Sequence, residues 1–163
     1  MAIDEETVRL ASHFEEFDKT DERYGTQSLV LGAENPAQPV AIEFSVFGGL
    51  DTNTITYVHI PSHISVFSSR AFSVTKEKLT VDINADAYDI TLGYESFYGS
   101  RVEALHFPGV KQLYAFSFSS CKELKDLEFG EKSTLKIIPL NGFNGASITQ
   151  FTVPASVNRL DSQ

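Results

Sequence analysis

Pairs of apolar residues, each pair spanning one intervening residue, recur along this chain at a nearly constant interval. The pairs are Val58 and Ile60, Val81 and Ile83, Leu105 and Phe107, Leu127 and Phe129, and Phe151 and Val153. Their second members, at positions 60, 83, 107, 129 and 153, are separated by 23, 24, 22 and 24 residues. This spacing is typical of a solenoid, in which each turn buries its apolar side only by stacking on its neighbours.

A second marker keeps the same period. It consists of the phenylalanines Phe47, Phe72, Phe97, Phe118 and Phe143, with gaps of 25, 25, 21 and 25 residues. Because the two markers are independent, their agreement predicts one repeated structural unit, and residues 103–130 contain a complete copy of it.

The residues around these markers resemble the BspA-like leucine-rich repeats. In that family a turn reads as an apolar strand ending in Ile-Pro, a Ser-Val step, and then Ala-Phe with a nearby Cys. The matching stretches are HIPSHISVFSSRAF (59–72), HFPGVKQLYAFSFSSC (106–121) and FTVPASVNRL (151–160). The resemblance covers about residues 40 to 160, and it implies a repeat fold associated with adhesion to host or matrix proteins.

The predicted fold class is an α/β repeat: a leucine-rich-repeat solenoid of about five to six turns with a short parallel sheet on one face. We expect residues 26–163 to form the repeats, with a short strand from Gln27 to Leu31 before the regular turns begin. Alternate strand residues should point inward. The Val-x-x-Leu and Phe-x-x-Cys steps on the return side, as in residues 110–121, fit irregular or single-turn helical backbone.

Residues 1–25 form a distinct, acidic first segment. Ile3, Leu10, Phe14 and Phe17 fall on one face of a helix, and Asp4 is suited to cap its start. The sequence therefore predicts an N-terminal helix that caps the first turn of the solenoid, with a separate partner-binding helix as the alternative.

The charge of the chain argues against some classes of partner. The net charge is −9, and residues 1–24 contribute −5 of it, from eight acids and three bases. Nucleic acids and anionic membranes require basic patches, so neither is expected as a partner. No apolar run reaches membrane length and the N-terminus is not signal-like, so we expect no membrane insertion. The compartment stays unknown, although the family resemblance implies the cell surface or secretion.

The single cysteine, Cys121, excludes an intramolecular disulfide framework and a zinc site built on paired cysteines. It occupies the position where the family's repeat carries a small buried Cys. The resemblance therefore implies a packed thiol, and we expect no cofactor or metal.

Stacked strands should arrange the outward-facing residues in rows. One row is predicted to contain His59, Asp82, His106, Glu128 and Thr152, and the next Tyr57, Thr80, Ala104, Asp126 and Gln150. Alternating imidazole and carboxylate groups are compatible with a divalent metal or a pH-sensitive patch. Solvated cross-strand pairs are the favoured interpretation, because a straight row of ligands converges poorly on one ion. The predicted binding surface consists of Tyr57, His59, Asp82, His106, Asp126 and Glu128.

No nucleophile turn of the Gly-x-Ser-x-Gly type, phosphate-binding loop or dinucleotide fingerprint is present, so the chain is not expected to be an enzyme. The leading hypothesis is a non-catalytic protein–protein interaction module. One alternative is an architectural segment of a longer repeat array. Another is a polysaccharide-active enzyme on a parallel β-helix, with Asp82, Asp126 and Glu128 as its clustered carboxylates. The last turn stops soon after Leu160 without a polar cap, which predicts either end-to-end self-association or a larger array cut short.

Overall fold

The computed structural model describes residues 28–30, 40–42, 57–60, 62, 64–75 and 78–161. These ranges contain strands and turns but no helix. The strands are β1 (Ser28–Val30), β2 (Val40–Ile42), β3 (Tyr57–Ile60), β4 (Ile64–Phe67), β5 (Thr80–Ile83), β6 (Ile90–Leu92), β7 (Ala104–Phe107), β8 (Val110–Leu113), β9 (Asp126–Phe129), β10 (Ile137–Ile138), β11 (Gln150–Thr152) and β12 (Arg159–Leu160).

The odd-numbered strands form the first side of a solenoid, called side A. Strands β1, β3 and β5 pair in parallel, as do β7, β9 and β11. A backbone hydrogen bond connects the two sheets: the Leu79 amide just before β5 donates to the Arg101 carbonyl just before β7, at 3.1 Å. The predicted parallel sheet is therefore present, and β1 confirms the short strand predicted within residues 27–31.

The even-numbered strands form a second side, called side B, which sequence reasoning did not predict. Strands β2, β4, β6 and β8 make one parallel sheet, and β10 pairs with β12 in another. The expectation of irregular or helical backbone at Val110–Leu113 was wrong, because these residues form β8. The register slips where Ile90 pairs with Val110 and Thr91 with Gln112, so Lys111 is an extra residue in β8. Val110 and Leu113 are buried while the two residues between them are exposed.

The third side, called side C, consists of four equivalent eight-residue segments without strands. They are residues 68–75, 93–100, 114–121 and 139–146. Backbone hydrogen bonds join each segment to the next: Phe72 donates to the Ser96 carbonyl at 2.7 Å, and Phe97 donates to the Ser117 carbonyl at 2.8 Å. Within a segment, amides donate three residues back, as Ser100 does to Phe97 at 3.0 Å. Side C is therefore a series of tight turns fixed in register along the solenoid.

Left-handed backbone recurs at two equivalent positions in every side C segment. These positions have positive φ and are Arg70 and Val74, Glu95 and Gly99, Phe116 and Ser120, and Asn141 and Gly145. Residues other than glycine rarely adopt this conformation. Its repetition four residues apart shows that the hydrogen bonds between segments, more than residue preference, determine the turn.

The core lies between the three sides and follows both predicted markers. Inward-facing pairs such as Val58 and Ile60, or Leu105 and Phe107, are at most 1% exposed. The anchors Phe72, Phe97 and Phe118 are fully buried. The solenoid predicted from the repeat period is confirmed, with strands and turns in place of an α/β alternation in the described ranges.

Two further predictions have different outcomes. The predicted N-terminal capping helix and the boundary after residue 25 lie outside the described residues. Val153 was predicted to point inward like the second member of each earlier pair, and its side chain is 49% exposed. Val153 lies just beyond β11, and in the described ranges β11 pairs only with β9, so no further turn covers it.

Candidate interaction surface on side A

The structure places all six residues of the predicted binding surface on side A, in the two rows expected from the strand register. In the first row His59 pairs with Asp82, and His106 pairs with Glu128. In the second row Tyr57 pairs with Thr80, and Ala104 pairs with Asp126. In both rows the first pair joins β3 to β5 and the second joins β7 to β9. Alternation along each strand turns these side chains outward, because their neighbours in sequence fill the core.

Three of the six residues form a hydrogen-bonded cluster across β3 and β5. The Tyr57 hydroxyl donates to Asp82 Oδ2 at 2.7 Å, and His59 Nδ1 lies 2.9 Å from the same oxygen. Partial burial alone would raise the pKa of Asp82, but the hydrogen bonds from Tyr57 and His59 and the charge of His59 outweigh it and lower this pKa below its ordinary value. Asp82 is therefore held as a carboxylate that orients both neighbouring rings.

A second pair joins β7 and β9 on a diagonal. His106 Nε2 lies 3.0 Å from Asp126 Oδ2, although the residue directly opposite His106 in the register is Glu128. The Glu128 side chain is exposed, and its carboxylate makes no hydrogen bond or ion pair within the described ranges. Its carboxylate is thus available on the outer surface of side A.

The imidazole and carboxylate groups of side A form separate pairs. No group of three or more His, Cys, Asp or Glu side chains that could hold a metal ion exists within the described ranges. Each histidine meets one aspartate, and the two pairs lie on different pairs of strands. These cross-strand pairs offer hydrogen-bond donors and acceptors on the outer surface of the sheet.

Two ion pairs join residues that precede the side A strands β5, β7 and β9. Lys78 Nζ lies 2.6 Å from Glu103 Oε1, and Arg101 Nε lies 2.7 Å from Glu123 Oε1. The hydrogen bond from Lys78 is the main reason that the pKa of Glu103 is lowered. The charges of these four side chains therefore cancel in pairs next to side A.

A cleft lies beside the paired strands β9 and β11 and the residues that follow them. Its volume is about 620 Å³, and Glu128, Glu131, Phe151 and Ser156 are among its lining residues. The Ser156 hydroxyl is buried and makes no hydrogen bond within the described ranges. Sequence reasoning did not anticipate this cleft, because the repeat period predicts evenly stacked turns.

Sequence reasoning also missed a group of exposed rings on side C. Tyr94, Tyr98 and Tyr114 are 44%, 37% and 46% exposed. The Tyr94 ring makes an edge contact with Phe116, at a centroid distance of 5.7 Å. The three tyrosines share no position relative to the buried phenylalanine of their segment, so the repeat pattern offers no signal for them.

Parallel strands on two sides, tight turns on the third and a core of stacked repeats define this molecule as a solenoid of the leucine-rich-repeat class. The family model for the BspA type leucine rich repeat region matches residues 40–163 with 6 copies, and the chain belongs to this family. No curated protein matches the chain, and no solved structure does. The described residues include no helix long and apolar enough to cross a membrane.

Proposed function

We propose that this chain is a non-catalytic interaction module that binds a protein partner through side A. The observation that carries the proposal is the pair of outward rows on side A, held in register by parallel strands and by the Tyr57–Asp82–His59 cluster. A surface that is already ordered loses little conformational entropy when a partner binds. Membership of the BspA-type family supports a role in protein interaction or adhesion.

The chemistry of side A supports a polar, partly aromatic interface. Tyr57 supplies an amphipathic ring of the kind found at the centre of protein interfaces. Glu128 supplies an exposed carboxylate with no described partner. Such a surface suits a partner that brings hydrogen-bond donors or positive charge to its own contact area.

The same geometry weighs against the enzymatic alternative. A glycoside-cleaving site requires two carboxylates that can act on one bond. The Asp82 carboxylate is hydrogen-bonded to Tyr57 and His59, and the Asp126 carboxylate is hydrogen-bonded to His106. These hydrogen bonds favour a surface role for both aspartates.

A capture experiment with matched variants tests the proposal. Thr80→Arg places a large cation in the middle of side A, and Gln112→Arg places the same group on an exposed position of side B. Proteins captured from the native source should bind the parent chain and Gln112→Arg, and the specific partner should be lost with Thr80→Arg. Loss with Gln112→Arg alone, or equal capture by all three chains, would contradict binding through side A.

A further inference from the structure

Two asparagine–glycine dipeptides lie on side C, in the segment 139–146. They are Asn141–Gly142 and Asn144–Gly145, and no other asparagine of the chain precedes a glycine. An asparagine in this context can lose ammonia without an enzyme, because the backbone nitrogen of the next residue attacks the side-chain amide carbon. Glycine favours the attack, since it has no Cβ to shield its nitrogen and leaves the backbone free to turn. The folded structure protects one of these dipeptides and exposes the other.

Asn141–Gly142 is the protected dipeptide. Gly142 is buried, and its amide donates to the Pro139 carbonyl at 3.2 Å. The Gly142 carbonyl accepts from the amide of Phe118, in the preceding segment, at 2.9 Å. Asn141 itself is only partly exposed. The nitrogen that would attack is therefore held in a hydrogen bond away from solvent, and the segment must open before it can react.

Asn144–Gly145 lacks this protection. Both residues are exposed, and within the described ranges neither the Asn144 side chain nor the Gly145 amide makes a hydrogen bond. The position is also uncrowded, because a Cβ atom placed on Gly145 would find its nearest neighbours in Ser120, 3.8 Å away. The attacking nitrogen and the amide carbon it would attack are thus both accessible in the folded chain.

We propose that Asn144 is a site of spontaneous deamidation in the folded protein and that Asn141 is not. The Gly145 nitrogen gives up its proton to water or hydroxide and bonds to the Asn144 side-chain carbon, and ammonia leaves, so that a succinimide ring forms. Water then opens the ring. Cleavage between the nitrogen and the side-chain carbon gives aspartate, whereas cleavage between the nitrogen and the backbone carbon gives isoaspartate. The reaction requires only water, and its rate should rise with pH because the attacking nitrogen must lose a proton.

The modification alters a contact between two side C segments. The Asn144 carbonyl accepts from the Ser120 amide at 2.8 Å and from the Ser119 hydroxyl at 2.9 Å, and both donors belong to the preceding segment. Isoaspartate adds one carbon to the main chain at this point, so the two hydrogen bonds cannot keep their geometry. Either product also adds a negative charge to residues 139–146, which contain no charged side chain. The reaction is independent of the proposed function, since side A lies elsewhere on the solenoid.

Incubation of the purified chain at mildly alkaline pH, with native and denatured samples in parallel, tests the proposal. Proteolysis and tandem mass spectrometry locate each replacement of an amide NH₂ by OH. In denaturant both dipeptides should react at comparable rates, because the fold no longer distinguishes them. In the native chain Asn144 should still react, while Asn141 should react about tenfold or more slowly than in denaturant. Asn84 and Asn158, which precede alanine and arginine, give the background rate.

Two variants separate the reaction from its structural consequence. Asn144→Gln should stop the fast reaction, because the longer side chain would have to close a larger ring. Asn144→Asp carries the charge of one product on an unaltered main chain and should melt like the parent, whereas the aged parent should melt at a lower temperature as isoaspartate accumulates. The proposal is overturned if native Asn144 reacts no faster than Asn84 and Asn158, or if native Asn141 keeps pace with Asn144. Equal accumulation of isoaspartate in a folded Asn144→Gln chain, or an aged parent that melts like Asn144→Asp, would also contradict it.

Discussion

The ring of Phe97 lies parallel to the ring of Phe118, with centroids 5.6 Å apart and planes inclined by 18°. Phe72 continues this stack on one side at 4.9 Å, and Phe143 continues it on the other at 5.7 Å. Each ring belongs to a different turn. Each turn is therefore buried by its neighbours, which is why the phenylalanine period in the sequence reports the fold.

Phe97→Ala should destabilise the protein by about 3–5 kcal/mol, because it removes a fully buried ring and leaves a cavity inside the stack. Chemical denaturation monitored by circular dichroism measures this change. The control is Tyr98→Ala, which truncates the adjacent, 37% exposed ring and should cost about 1 kcal/mol or less. Equal effects of the two substitutions would show that the stack does not stabilise the turns.

Gly93→Ala should also be strongly destabilising, for a steric reason. A Cβ atom at Gly93 would lie 2.7 Å from the Phe67 carbonyl oxygen, which is backbone of the preceding turn. We expect a loss of about 2 kcal/mol or more. At Gly99 the nearest atom would be Val74 Cγ2 at 3.7 Å, so Gly99→Ala should cost about 1 kcal/mol from its positive φ alone. Thermal unfolding of both variants gives the order, and a milder effect at Gly93 would contradict the close approach.

The Cys121 thiol should be unreactive in the folded protein. Burial raises its pKa to about 12, and its Sγ donates to the Phe97 carbonyl at 2.9 Å. Because the thiolate is the reactive form, an aromatic disulfide reagent at pH 8 should label the native chain far more slowly than the chain in denaturant. Native labelling as fast as that of the unfolded chain would place Cys121 at the surface.

Asp82 should titrate below its ordinary value of 3.8. A carboxyl group whose pKa is lowered by folding contributes stability above the unfolded pKa, and this contribution is lost as the pH falls through the folded pKa. Tyr57→Phe removes a hydrogen bond to the charged form, so the Asp82 midpoint should rise towards 3.8. Carbon-13 NMR of the Asp82 carboxyl group measures both midpoints. An unchanged midpoint in Tyr57→Phe would show that this hydrogen bond is absent in solution.

The repeat period and side A were predictable because they depend on local patterns. Alternation of apolar and polar residues, as in Leu105, His106 and Phe107, decides which residues face inward on a strand. Stacking then places His106 beside the residues of β9. The exact partner was not predictable, since Asp126 and Glu128 are both within reach and the structure selects Asp126.

Side B was not predicted, because the buried residues of β8 have the three-residue spacing expected of a helix. In β8 the buried residues Val110 and Leu113 are three positions apart, as on one turn of a helix. The cause is the extra residue Lys111, which a single sequence does not reveal, because a bulge is defined by the neighbouring strand. The tyrosines of side C were missed for a related reason: their exposure depends on turns whose left-handed positions are occupied by residues as different as Glu95 and Phe116.

Binding through side A is tested most directly with the partner protein identified in the capture experiment. Its affinity is measured for the parent chain and for two variants, Tyr57→Ala and Tyr88→Ala. Tyr57→Ala removes the ring of side A that contacts Asp82, and Tyr88→Ala removes an exposed ring at a different place on the chain. By isothermal titration calorimetry, the account predicts a loss of about tenfold or more for Tyr57→Ala and parental affinity for Tyr88→Ala. Parental affinity in a folded Tyr57→Ala chain, or an equal loss in both variants, would contradict side A as the binding surface.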